Sequence, residues 1–366
     1  MFNIGIDYTS AVQQSAGIGR YTQEMVRALA NLTPTGPAPH YHLFVAGVES
    51  NFTPPCSCDR LSWHSTRLSE RWLARLWYRL QLPLAVDYWT GPLDLFHAPD
   101  FFLPPVKSGI PTVVTIHDLS YVHAPETVMP GMSKPLNQRV PRAIERADHV
   151  VAVSEATRQD VIKVYGTDPK KITTLYHAVT AEFQPVTDKN MLDKLRQTYN
   201  LGENPFILSV STIQPRKNYQ RLIRAFAQLD RSHTLVIAGT KGWDYEPVLA
   251  EVAAHNLEDR VIFPGYVVDS DLPALYSAAD LFVYPSLYEG FGLPILEAMA
   301  CGTPVVAANR AALPEVTGEA GLLVDPYDVA ALAEVAVHNL EDRVIFPGYV
   351  VDSDLPALYS AADLFV

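Results

Sequence analysis

One stretch constrains this chain more than any other. Asp280-Leu281-Phe282-Val283-Tyr284-Pro285 is apolar and strand-like, and it leads into Tyr288-Glu289-Gly290-Phe291-Gly292-Leu293-Pro294. Gly290 and Gly292 allow the backbone a sharp turn with no side chain over it. Pro294 stands where a first helical residue should be, and Gly302 falls just past the expected helix end. A second apolar strand follows at Pro304–Ala308. The run therefore reads strand, Gly-rich loop, short helix, strand. Such a loop offers backbone N–H groups and a helix-dipole end to a phosphate. Glu289 in the loop and Glu297 in the helix are eight positions apart, an arrangement suited to a phosphorylated sugar whose hydroxyls meet the carboxylates. A turn that only packs a helix on a sheet would account for a lone Gly-x-Gly, but not for the whole run with both glutamates.

Glu-Gly-Phe-Gly-Leu-Pro-x-x-Glu-Ala-Met-Ala-Cys-Gly-x-Pro-Val-Val resembles the Glu-x7-Glu signature of retaining, sugar-nucleotide-dependent glycosyltransferases of the GT-B fold, in the large family four. The resemblance covers about residues 1–330 and is strongest over 205–326. It implies an α/β chain of two Rossmann-like, doubly wound domains facing a cleft. The first, 1–180, would be the acceptor side; 181–204 would link it to the nucleotide-sugar domain, 205–331. The resemblance assigns Arg216 and Lys217 to the leaving diphosphate, and Phe291, Gly292 and Leu293 to phosphate or sugar. It assigns Glu289 to the sugar hydroxyls, Glu297 to the ribose, and His117 with Asp118 to the reacting sugar or acceptor. Its donor is a hexose nucleotide, with GDP-mannose favoured by likeness to bacterial mannosyltransferases. It implies no metal and no further cofactor.

The residues support parts of this independently. His117-Asp118 ends the apolar run Pro111–Ile116, and catalytic groups gather at the carboxyl ends of strands in doubly wound sheets. Arg216 and Lys217 follow the strand-like Phe206–Ser211, where two cations suit a diphosphate. Gly17-x-Gly19 follows the strand Phe2–Ile6, but the third glycine of a dinucleotide fingerprint would fall at Thr22. A nicotinamide enzyme is therefore rejected, and in the resembled family this turn approaches the donor phosphates. Ser154 is placed to cap a helix after the strand at 149–153.

Composition sets the outer limits. The 366 residues suffice for two domains, and at 48% hydrophobic and 19% charged they can bury a large core. A net charge of −12 argues against a general nucleic-acid binder. Cys56, Cys58 and Cys301 cannot make a disulfide framework, and Cys56-x-Cys58 lacks a second pair for zinc. The first strand opens the sequence with no leader-like run, and no apolar run approaches the ~20 residues of a spanning helix. The expectation is a cytoplasmic protein, soluble or at the inner membrane face. Arg67, Arg71, Arg75 and Arg79 recur every four residues among Trp72, Leu73, Leu76, Trp77 and Leu80. That pattern predicts either a helix able to lie on anionic lipid or a surface helix with its apolar face in the core.

Leu332–Val366 repeats Leu249–Val283 with one difference, Ala254 against Val337. Structural repeats diverge and recur several times, so a single near-exact copy points to recombination or an assembly error. The copy stands where relatives carry closing helices, and its strand-forming segments Val344–Pro347 and Leu364–Val366 have no evident sheet position. Two rivals to an active transferase follow: a GT-B-fold epimerase or phosphorylase, and an inactive or weakly nucleotide-binding product of a recombined gene.

Overall fold

The structure, a computed structural model, describes residues 2–14, 17–33, 37–48, 58–80, 82, 84–229 and 232–337. Cys56 and the segments Val344–Pro347 and Leu364–Val366 lie outside the described residues. The chain forms two compact α/β units. Of the described residues, those within 1–122 and 131–177 make up one unit, and those within 123–130 and 178–337 the other.

The first unit holds a seven-stranded parallel sheet. Its strands are β1 (Asn3–Asp7), β2 (His40–Ala46), β3 (Leu61–Thr66), β4 (Leu95–Ala98), β5 (Thr112–Ile116), β6 (His149–Ala152) and β7 (Ile172–Thr174), in the order β3-β2-β1-β4-β5-β6-β7. The second unit holds a six-stranded parallel sheet of β8 (Phe206–Val210), β9 (Thr234–Ala238), β10 (Val261–Gly265), β11 (Leu281–Tyr284), β12 (Val305–Ala308) and β13 (Leu322–Val324), ordered β10-β9-β8-β11-β12-β13. The central strands β9, β11 and β12 are buried at every position, while the edge strands β10 and β13 are partly exposed. That is the signature of sheets covered by helices on both faces. The strand order of each sheet reverses at one point, between β1 and β4 and between β8 and β11, and ligand sites in such sheets lie beyond the carboxyl ends there.

Several local outcomes differ from expectation. The stretch 181–204, expected as a linker, contributes Phe183, Leu195 and Leu201 to a core cluster of the second unit, and its helix Lys189–Thr198 is capped by Asp188. The arginine-striped segment is not one regular helix. Ser69 caps a short α-helix, Glu70–Ala74, which widens into a π-helical turn, Arg75–Arg79. Leu73 is fully buried and the Trp77 indole donates to the Leu84 carbonyl at 2.7 Å, while Trp72 and Leu80 are exposed. The helix after the Gly-rich loop starts at Leu293, one residue before Pro294. The repeated Leu-Ala-Glu-Val-Ala is helical in both settings, within Glu246–Ala254 and within Val329–Val337. It faces the core differently in each: Leu332 and Ala333 are buried, while their counterparts Leu249 and Ala250 are half-buried and exposed.

Candidate functional site

The switch point of the second sheet gathers the residues singled out from the sequence. After β8 the chain forms a 3-10 turn, Pro215–Lys217, and beyond β11 lies the Gly-rich loop. The Leu287 N–H donates to the Arg216 carbonyl at 2.9 Å, tying the two loops together. The Arg216 guanidinium donates to the Tyr288 carbonyl (2.7 Å) and to Glu289 Oε2 (2.5 Å). Lys217 Nζ donates to Glu289 Oε1 (2.6 Å) and to the Tyr284 hydroxyl (2.8 Å). Lys217, Glu289 and Tyr284 are all buried. Burial alone would push the Glu289 carboxyl up, but Arg216 and Lys217 outweigh it and hold the group down to about 2. Two cations and one carboxylate leave one net positive charge in a water-poor setting. That is an environment for an anion.

The loop itself is sterically defined. Gly292 caps the helix Leu293–Ala300 at φ 117, and a Cβ there would lie 2.8 Å from Leu313 Cδ2, so conformation and space both require glycine. Phe291 is buried beside it. Gly302 ends the helix at φ 80. Glu297, one turn into that helix, is 2% exposed, and its Oε2 accepts the Tyr276 hydroxyl at 2.8 Å. Beside it the Cys301 thiol is pushed up to about 12 by burial and by the Glu297 charge. The two signature glutamates thus have separate partners, Glu289 the cations and Glu297 a tyrosine. His123 stacks on Tyr288 with ring centroids 5.4 Å apart and planes 17° off parallel.

The remaining expected residues belong to the first unit. His117 follows β5 directly. Its Nε2 lies 2.6 Å from the Pro99 carbonyl, so that nitrogen carries the proton, and burial lowers its pKa. The ring meets Tyr21 edge-on at 4.9 Å, and Tyr21 in turn stacks on His177 at 4.7 Å. Burial, then the nearby His117, brings His177 down to about 3. Asp118 acts locally, its Oδ1 accepting the Ser120 N–H at 2.9 Å at the start of the helix Ser120–His123. Gly17 caps the helix Ile18–Asn31 at φ 60. A Cβ on Gly19 would lie 2.1 Å from the Gln14 carbonyl oxygen, so this glycine lets the helix sit against the preceding backbone.

Sequence reasoning missed a second acidic group. Asp7 at the end of β1, Glu70 and Asp100 line a cavity with Phe44, Trp77 and Phe102. Burial, together with Glu70 and Asp7, pushes the Asp100 carboxyl up to about 7, although its Oδ1 accepts the Phe101 N–H at 2.6 Å. The topology alone marks the place, because Asp7 and Asp100 flank the β1/β4 reversal. It also missed Tyr284 and Tyr276, which lie in runs that read as core. Among the described residues, no group of three or more His, Cys, Asp or Glu side chains is placed to hold a metal ion. No helix among them is long and apolar enough to cross a membrane.

Comparison with known proteins agrees with this architecture. A model of the Glycosyltransferase Family 4 domain matches residues 15–183, and one of the Glycosyl transferases group 1 domain matches 192–337. The chain is 36% identical over 252 residues to the O-antigen chain mannosyltransferase B of Escherichia coli, covering 68% of this chain and 65% of that protein. It is 35% identical over 209 residues to the serotype-specific mannosyltransferase WbdA of Escherichia coli, covering 55% of this chain and 26% of that one. The chain thus spans less than two thirds of the length of either relative. Among solved structures it superposes on Anabaena Alr3699/HepE, in complex with UDP and glucose, with a TM-score of 0.68 at 22% identity and 100% coverage of both chains. With the two domain models meeting the two observed sheets, the chain belongs to the GT-B glycosyltransferases of the group 1 and family 4 type.

Proposed function

We propose that this chain transfers a hexose, with retention, from a nucleotide diphosphate sugar to a glycan or lipid-linked acceptor. The observation that carries the reading is the Arg216–Lys217–Glu289 cluster, half-buried at Arg216 and buried at the other two, with its single net positive charge at the β8/β11 switch point. The donor's diphosphate lies on Arg216 and Lys217, which stabilise the charge that grows as the bond from the anomeric carbon to the diphosphate breaks. The acceptor oxygen bonds to that carbon from the same face, and its proton passes to the departing phosphate oxygen. Glu289 orders the two cations, and the second lone pair of each carboxylate oxygen accepts a sugar hydroxyl. Glu297 is assigned to the ribose, and neutral His117 to the sugar or acceptor.

Mannose on guanosine diphosphate is the favoured donor, supported by the mannosyltransferase relatives; the uridine nucleotide bound by Anabaena Alr3699/HepE supplies the alternative base. Thermal unfolding of the full chain with GDP, UDP and their mannose and glucose conjugates tests this. A ligand at 100 times its Kd adds about 2.7 kcal/mol, so a selective rise of a few degrees with one base is expected. A transition that none of them moves refutes the reading and favours the inactive-product alternative raised by the repeat at 332–366.

A second reading concerns location. Arg67, Arg71, Arg75 and Arg79 stand among exposed Trp72, Leu80 and Leu82, with the Arg75 guanidinium 4.8 Å from the Trp72 ring centre. This is a surface for anionic lipid, through Trp72 and not through the inward-bonded Trp77. Co-sedimentation with phosphatidylglycerol vesicles, weakened in Trp72→Ala and by added salt, is the expected result; no binding at low salt sinks it.

A further inference from the structure

The donor site contains a residue that none of the sequence signals marks. Tyr284 ends β11 in the apolar run Leu-Phe-Val-Tyr and is 3% exposed. Its backbone is registered opposite Ala307 of β12, and its ring stacks on Phe282 at 5.8 Å with planes 20° apart. A tyrosine held this firmly has its hydroxyl oxygen fixed in space. That oxygen accepts a hydrogen bond from Lys217 Nζ at 2.8 Å, and the ammonium lies 5.0 Å from the ring centre.

A lysine ammonium is a tetrahedral donor on a flexible stem and needs outside anchors to hold a direction. Glu289 Oε1 and Tyr284 Oη anchor Lys217 here. Two fixed N–H directions on a tetrahedral nitrogen determine the third. The chemistry of the second anchor matters as well. Glu289 already cancels one of the two cationic charges, and a second carboxylate in the place of Tyr284 would cancel the other. A phenol accepts the same hydrogen bond and leaves the net positive charge in place. Burial and the Glu289 charge keep this phenol neutral, raising its pKa well above the ordinary value.

We propose that Tyr284 is a positioning residue for Lys217, aiming its ammonium at the donor's diphosphate while preserving the charge that binds it. This rests on the donor reading given above. Its specific consequence is selectivity for the diphosphate over a monophosphate of the same nucleoside.

The test uses the full chain, with GDP, GMP, UDP and UMP as probes in calorimetric titration. Tyr284→Phe keeps the ring and deletes only the hydroxyl. Binding of the diphosphate is expected to weaken about tenfold, with the monophosphate changed by less than about twofold. In a Lys217→Met background, where Arg216 still compensates Glu289, Tyr284→Phe should cause no further change in diphosphate affinity. Such non-additivity is the mark of a residue acting through its neighbour. Equal weakening of diphosphate and monophosphate, or an undiminished tenfold loss in the Lys217→Met background, overturns the proposal. If Lys217→Met does not fold, the diphosphate-to-monophosphate ratio in Tyr284→Phe decides alone. A parent protein that binds none of the four nucleotides refutes the donor reading itself, and the proposal with it.

Discussion

Removing the Glu289 carboxylate should destabilise the second unit before it affects any chemistry. Glu289 is 8% exposed, and both its oxygens are engaged, one by Arg216 at 2.5 Å and one by Lys217 at 2.6 Å. Its carboxyl is held at about 2 against an ordinary value of 4.5, which corresponds to roughly 3 kcal/mol of stability at neutral pH. Deleting one partner of a buried ion pair independently costs about 3–5 kcal/mol, because the charge left behind is uncompensated. The two routes agree, so Glu289→Ala should lose about 3–5 kcal/mol in urea unfolding at pH 7. A depressed carboxyl stabilises above its unfolded value, so the parent should shed this contribution as pH falls from about 4.5 towards 2, and the variant should show no such loss. Glu289→Ala also leaves two adjacent cations in place of one net charge. Millimolar inorganic pyrophosphate should therefore stabilise the variant more than the parent. A variant that unfolds at the parent's urea concentration, or pyrophosphate that acts equally on both, would refute the electrostatic account of this cluster.

Three further outcomes follow from other sites. Asp100 is raised to about 7, so its protonated form is favoured in the fold and stability declines as pH rises from about 3.8 through 7; Asp100→Asn should gain up to about 4 kcal/mol in urea unfolding at pH 8 and markedly less at pH 5. His97, held at about 4 by burial and His117, lies 2.9 Å from the Thr115 hydroxyl through its Nε2. Its stabilising effect is present above pH 6.5 and is lost as pH falls towards 4. By pH 5 the loss is about 2 kcal/mol, which His97→Gln should abolish in paired unfolding curves. Gly19→Ala should cost about 3 kcal/mol, since its methyl group would press on the Gln14 carbonyl; an unchanged melting temperature would contradict the tight approach.

The sheets were legible where strands are apolar throughout, as in Leu281–Tyr284 and Val305–Ala308. β3 was not, because Ser62, His64 and Ser65 leave this edge strand without an apolar run. The helix Ser133–Arg146 escaped notice because Pro135 and Pro141 lie within it, and proline ordinarily breaks a helix. The arginine stripe was read at a strict helical period, but Leu80 N–H donates to the Arg75 carbonyl five residues back, opening a π turn there. At the site, the cations and both glutamates were readable from the order of residue types along strand, loop and helix. Their pairing was not, since Arg216 and Glu289 meet only through the folding of β8 beside β11. The Asp7–Glu70–Asp100 group was invisible for the same reason, its members being brought together by tertiary structure alone.

The membership of residues 123–130 in the second unit has a consequence for biosynthesis. The backbone leaves the first unit after Val122, returns at Gly131 and leaves again after His177. During translation His123 is made about 165 residues before Tyr288, the ring on which it stacks. At about 5–20 residues per second, this short segment waits roughly 8–33 s for its partner, while the first unit can close around the flanking chain. The first unit can therefore mature early, but the second is completed by a piece synthesised long before the rest of it. No single cut in the chain separates the two units with both left whole.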